Sequence, residues 1–81
     1  GVLMADGGKT ALEADTEISE AIDFCLYYRK QALHFFDYDD MAWEPRGVSV
    51  VLPPWNFPCS IPAGCIAASL VTGNPVVFKP A

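Results

Sequence analysis

Positive charge is scarce in this chain. Its 81 residues include only five lysines and arginines against ten acidic residues, a net charge of -5. Lys9, Arg29, Lys30, Arg46 and Lys79 are scattered along the sequence, so no cationic face forms against a phosphate backbone and nucleic acid is excluded as a partner. Histidine occurs once. His34 has no cysteine or carboxylate at ligand spacing, so it reads as a helix-surface residue and no metal site is expected. Cys25, Cys59 and Cys65 are odd in number and lack framework spacing, and neither a signal peptide nor an apolar run of membrane length is present. These absences indicate a reducing compartment, the cytoplasm, and no transmembrane segment. Low-complexity tracts and internal repeats are missing too. Apolar residues, at 52%, are instead abundant for so small a free-standing surface, so some of that surface is expected to meet a neighbour. The chain opens without a methionine and stops just after an apolar run, and it is expected to be part of a longer one.

Gly8-Lys9-Thr10 matches the end of a phosphate-binding loop. That motif also requires a glycine five residues before Gly8, where Leu3 stands, so residues 1–10 read as a loop or as the end of a preceding helix. From Ala14 to Phe36, apolar residues at Ala14, Ile18, Ala21, Ile22, Cys25, Tyr28, Ala32, Leu33 and Phe36 recur at helical intervals. Asp15 or Thr16 can cap the start, and Arg29 and Lys30 suit the carboxyl end of the dipole. The carboxylates Glu13, Asp15, Glu17, Glu20 and Asp23 read as a solvated face. Asp37 to Asp40 ends the helix, and Met41 to Arg46 is a connection carrying Pro45. Residues 1–46 are therefore helix and connection.

Residues 47–81 read as strand, helix, strand. Gly47 to Leu52 is nearly continuous in its hydrophobicity, as in a parallel strand covered on both faces. Ile61 to Thr72 has helical spacing and many small residues, and Gly73-Asn74 stops it. Val76 to Phe78 gives a second short strand, and the crossover between them is long enough to return parallel. The fold class is α/β: an N-terminal helix followed by a βαβ unit. Between the first strand and the second helix stand Pro53, Pro54 and Pro58, which forbid both ladder and helix interior and force a turn displaying Trp55, Asn56 and Phe57. Ligands bind outside the carboxyl ends of parallel strands, and both Trp55-Asn56 and Lys79 fall there. A neutral amide and a cation beside aromatic and proline surface suit a nucleotide-like cofactor next to a reacting carbonyl. Singly, Asn56 could satisfy turn backbone and Lys79 could be a solvated strand end.

Pro54-Trp55-Asn56-Phe57-Pro58 followed by Gly73-Asn74-Pro75-Val76-Val77-Phe78-Lys79-Pro80 resembles the paired signature of the NAD(P)-dependent aldehyde dehydrogenase superfamily. Residues 13–24 with Tyr27-Tyr28, preceded by Gly8-Lys9, are similar to its pyrroline-5-carboxylate (glutamate semialdehyde) dehydrogenase branch, including the dehydrogenase domain of bifunctional proline-utilisation enzymes. The resemblance implies a fragment of the aldehyde dehydrogenase fold with a Rossmann-like parallel sheet, the chain forming part of its NAD-binding region. By the same resemblance, Asn56 is the catalytic oxyanion-hole amide. Leu52, Pro53, Pro54 and Trp55 wall the cofactor cleft with Asn56, Lys79 bonds the adenosine ribose, and Phe57 lines the aldehyde tunnel. Glu20 stands near the substrate amine. The cofactor implied is NAD, with NADP left open, and FAD only where a proline dehydrogenase domain accompanies the parent. The family's nucleophilic cysteine and general-base glutamate would lie beyond Lys79, and Cys25, Cys59 and Cys65 read as small hydrophobes. The implied partners are a small aldehyde substrate, the remainder of a homo-oligomeric parent enzyme and no nucleic acid, and these 81 residues alone are expected to be inactive. A non-catalytic remnant that binds nucleotide or protein is the alternative.

Overall fold

Thr10 starts the long helix. Its backbone is extended (φ -70, ψ 163) and its Oγ1 accepts the Glu13 N–H at 3.2 Å, satisfying one of the first-turn donors. In this computed structural model, which describes residues 1–38 and 40–81, the chain runs α1 (Val2–Gly7), α2 (Ala11–Phe36), β1 (Ser49–Val51), α3 (Ser60–Val71) and β2 (Val76–Phe78). The cap expected from Asp15 or Thr16 is therefore corrected to Thr10. Thr16 lies inside α2 and donates its hydroxyl back to the Leu12 carbonyl at 2.9 Å. Gly8 at φ 67 ends α1 in the left-handed conformation and frees the chain to turn into α2. Asp37 caps the other end of α2, and Asp39 lies outside the described residues.

α2 packs on α3, and only part of the stripe the apolar spacing indicates is covered. Ala14, Glu17 and Ala32 are buried and Ala21, Phe24 and Tyr28 half-buried, while Ile18, Ile22, Leu33 and Phe36 are exposed. The close approach is permitted where a small residue on one helix meets a large one on the other. On α3 the matching residue is Gly64: a Cβ there would sit 3.1 Å from the Phe24 ring. Cys25 and Cys65 are exposed rather than packed as small hydrophobes. His34 is exposed, with Nε2 3.2 Å from the Tyr38 hydroxyl.

The strands pair in parallel, with Ser49 opposite Val76, Val50 opposite Val77 and Val51 opposite Phe78. Backbone bonds from Ser49 N to Pro75 O (2.8 Å) and from Lys79 N to Val51 O (3.1 Å) extend the ladder at both ends. Val51 is 6% exposed, whereas Val48, Val50, Leu52 and Val77 all exceed half exposure. Only one sheet face is covered within this chain, because α3 packs on the strands and on α2, and no described element lies on the opposite face. The second covering layer expected for this strand is not supplied by the described residues. Gly73 at φ 83 leads out of α3, and the Asn74 Oδ1 accepts the Gly47 N–H at 3.0 Å, tying the two strand entrances together. Among the described residues, no helix is long and apolar enough to cross a membrane.

Candidate functional site

The backbone leaves the ladder after Val51 because Pro53 and Pro54 have no N–H to donate. The turn that follows is bounded below by β1 and above by α3. Trp55 is 78% exposed and Asn56 is exposed beside it, so the turn presents these groups to solvent rather than to the core. The side-chain amide that ties backbone is that of Asn74, at the opposite, entrance end of the strands. Lys79 is exposed at the same carboxyl edge, and its own N–H, bonded to Val51 O, fixes its place at the end of β2.

Two hollows flank the turn. One, of about 400 Å³, opens at the carboxyl edge of the sheet and is lined by Pro53, Pro54, Trp55, Phe78 and Pro80, with Leu3 of α1 opposite. Leu52, Asn56 and Lys79 do not line it, although each is adjacent in sequence to a residue that does. The other, of about 390 Å³, is lined by Lys9, Leu12, Thr16, Glu17, Glu20 and Phe57. Phe57 and Glu20, the pair expected near the substrate, thus share one hollow. Trp55 and Pro58 line the first hollow and Phe57 lines the second, and Asn56, which lies between Trp55 and Phe57 in the chain, lines neither.

Glu17 was expected on a solvated face and is instead 2% exposed. Its Oε1 accepts the backbone N–H groups of Cys59 at 2.6 Å and Ser60 at 3.1 Å. These are orphan donors at the start of α3. Cys59, the N-cap, makes no side-chain capping bond, so a carboxylate from another helix takes the role that Ser, Thr, Asp or Asn usually fills. The other oxygen, Oε2, makes no hydrogen bond and lies 3.8 Å from the Lys9 ammonium, a charge pairing at longer range. Lys9 in turn stands over the Phe57 ring, 4.2 Å from its centroid. Two sequence signals pointed to Glu17: α3 opens at Cys59 without a capping side chain, and Glu17 falls on the helical stripe of Ala14, Ala21 and Phe24.

Among the described residues, no group of three or more His, Cys, Asp or Glu side chains could hold a metal ion. The sequence profile of the aldehyde dehydrogenase family matches residues 1–81. The chain belongs to that family. Proteins named 1-pyrroline-5-carboxylate dehydrogenase from Bacillus thuringiensis (strain Al Hakam), Bacillus cytotoxicus and Bacillus cereus (strain B4264) are each 42% identical to this chain over 90 residues. The match covers 99% of this chain and 18% of each relative, so the chain spans about a fifth of their length. It runs over more positions than the chain has residues, so the relatives carry extra residues within the matched stretch. No solved structure gives a significant match.

Proposed function

We propose that this chain is the oxyanion-donor and cofactor-wall portion of an NAD-dependent aldehyde dehydrogenase that oxidises L-glutamate γ-semialdehyde, the open form of 1-pyrroline-5-carboxylate, to glutamate. One observation carries the reading: at the carboxyl edge of a parallel strand pair, Asn56 stands between a residue lining one hollow and a residue lining another. An amide placed between a cofactor space and a substrate space can donate to a carbonyl oxygen as charge develops on it. The names of the relatives, at 42% identity, supply the substrate class.

The residues fit one wall of a dinucleotide site. The first hollow is faced by prolines and an exposed indole, with the Asp6 carboxylate of α1 also in its lining, and the Lys79 cation stands at the strand end next to Phe78 and Pro80. In this reading Leu52, Pro53, Pro54 and Trp55 keep water from one side of the cofactor, and Lys79 donates to ribose hydroxyls. Bound NAD supplies the acceptor for the hydride that leaves the aldehyde carbon. The Asn56 amide is neutral, so it stabilises the oxygen only as that atom becomes negative when a thiolate from elsewhere in the enzyme adds to the carbonyl. Loss of the hydride leaves a thioester, whose C–S bond water then breaks to release glutamate and free the thiolate. Phe57 holds the aliphatic part of the semialdehyde, and Glu20, exposed in the same hollow, faces its ammonium group.

The two strands belong, on this account, to a larger Rossmann-like sheet, and the exposed Val48, Val50, Leu52 and Val77 face is covered by the remainder of a cytoplasmic, homo-oligomeric enzyme. The test is NAD reduction by the full-length protein carrying this stretch, with glutamate semialdehyde and with a simple aliphatic aldehyde as substrates. Faster turnover of the semialdehyde is expected. No NAD-linked oxidation of either compound would refute the reading.

A further inference from the structure

We propose that Glu17 is a positioning residue for Asn56, holding the oxyanion donor in place through the backbone that follows it. The proposal rests on the reading of Asn56 as that donor. Phe57, Cys59 and Ser60 are held from the α1–α2 side: Lys9 lies over the Phe57 ring, 4.2 Å from its centroid, and the Cys59 and Ser60 N–H groups donate to Glu17 Oε1. Asn56 is the next residue back along the chain, and its own side chain is exposed. The chain in front of it is stiffened by Pro53 and Pro54, so the segment is clamped on both sides of Asn56.

The clamp has the chemistry of a rigid support. A buried carboxylate is tolerated only when its lone pairs meet donors or cations, and Glu17 meets two backbone N–H groups and the Lys9 ammonium. Because the carboxylate belongs to α2 and its donors open α3, the bond couples the angle of the turn to the packing of the two helices. Asn56 stabilises charge only if its amide is already aimed when the oxygen becomes negative, and a misplacement of about 1 Å can reduce rate by about a hundredfold.

Five variants of the full-length protein test this: two at Glu17, Asn56→Ala, and the two combinations. Glu17→Met keeps the volume and removes the acceptor. It is expected to lower kcat about tenfold to a hundredfold, with the KM for NAD within about twofold of wild type. Glu17→Gln keeps an acceptor oxygen without its charge and is expected to lower kcat by a smaller factor, about fivefold. Each substitution is then made on an Asn56→Ala background, where it is expected to lower kcat no further. This loss of effect separates positioning from general destabilisation, which would reduce kcat by the same factor in both backgrounds. Wild-type kcat in Glu17→Met, or equal losses with and without Asn56, overturns the proposal. Should Glu17→Met not fold, the Glu17→Gln pair is read by the same two criteria. An Asn56→Ala variant with wild-type kcat removes the oxyanion reading and this proposal together. A normal Asn56 effect with no Glu17 effect removes this proposal alone.

Discussion

Glu17 of α2 accepts the backbone N–H groups of Cys59 and Ser60, so a carboxylate on one helix caps the helix that follows the turn. The arrangement joins residues far apart in sequence at the place where the chain leaves β1 for α3. It also explains how a buried charge is accommodated: the positive end of the α3 dipole and the Lys9 ammonium both face it. Replacing Glu17 by alanine leaves two donors and a half-buried lysine without their acceptor. We expect a loss of about 2–3 kcal/mol in unfolding free energy, measured by urea denaturation. An unchanged midpoint would show that the capping bonds contribute nothing.

The α2–α3 contact depends on the missing side chain of Gly64. A Cβ there would press to 3.1 Å of the Phe24 ring, tight enough that the ring must shift, and a larger side chain forces the helices apart. Gly64→Leu is expected to destabilise by about 1–3 kcal/mol despite the better helix propensity of leucine. Thermal unfolding checks this, and a raised midpoint would contradict the close packing.

Gly73 has a different reason for being glycine. Its φ of 83 is a conformation that L side chains rarely adopt, and a Cβ there would lie 3.0 Å from Pro45 Cγ. Gly73→Ala is therefore expected to cost about 1 kcal/mol or more, while the same change at Gly1, which has open space and no positive φ, is expected to be silent. Equal effects at the two positions, compared by the same denaturation assay, would contradict the conformational explanation.

Lys79 is expected to act on cofactor binding rather than on turnover. Removing a cation that donates to ribose hydroxyls should raise the KM for NAD about tenfold, with kcat changed less. Steady-state titration with NAD at saturating aldehyde distinguishes this from a solvated strand end, for which KM would not move.

The βαβ unit was legible because its signals are local. Val48 to Leu52 and Val76 to Phe78 are short β-branched runs, three prolines stop the first strand, and Gly73 stops the helix between them. The parallel pairing and the shared edge of Trp55, Asn56 and Lys79 followed from that order. Less legible was which side of α2 faces inward. That helix is apolar around much of its circumference, and Phe24 and Glu17 face inward because Gly64 and the Cys59 and Ser60 N–H groups of a later helix meet them. Glu17 was hidden for the same reason. Within a run of five carboxylates from Glu13 to Asp23 it looks like its exposed neighbours, and its place on the stripe of Ala14 and Ala21 gains meaning only with the uncapped start of α3 at Cys59 and Ser60. Asn74 was passed over too, read only as part of a helix stop, although its amide reaches back to Gly47.

The claim at the centre of this account is that the Pro53 to Pro58 turn exists to hold an oxyanion donor. Its most direct test is the steady-state kcat of Asn56→Ala in the full-length protein, measured by NAD reduction with glutamate semialdehyde. The account expects kcat to fall about a hundredfold to a thousandfold with little change in the KM for NAD. An Asn56→Ala variant that turns over at the wild-type rate would contradict it.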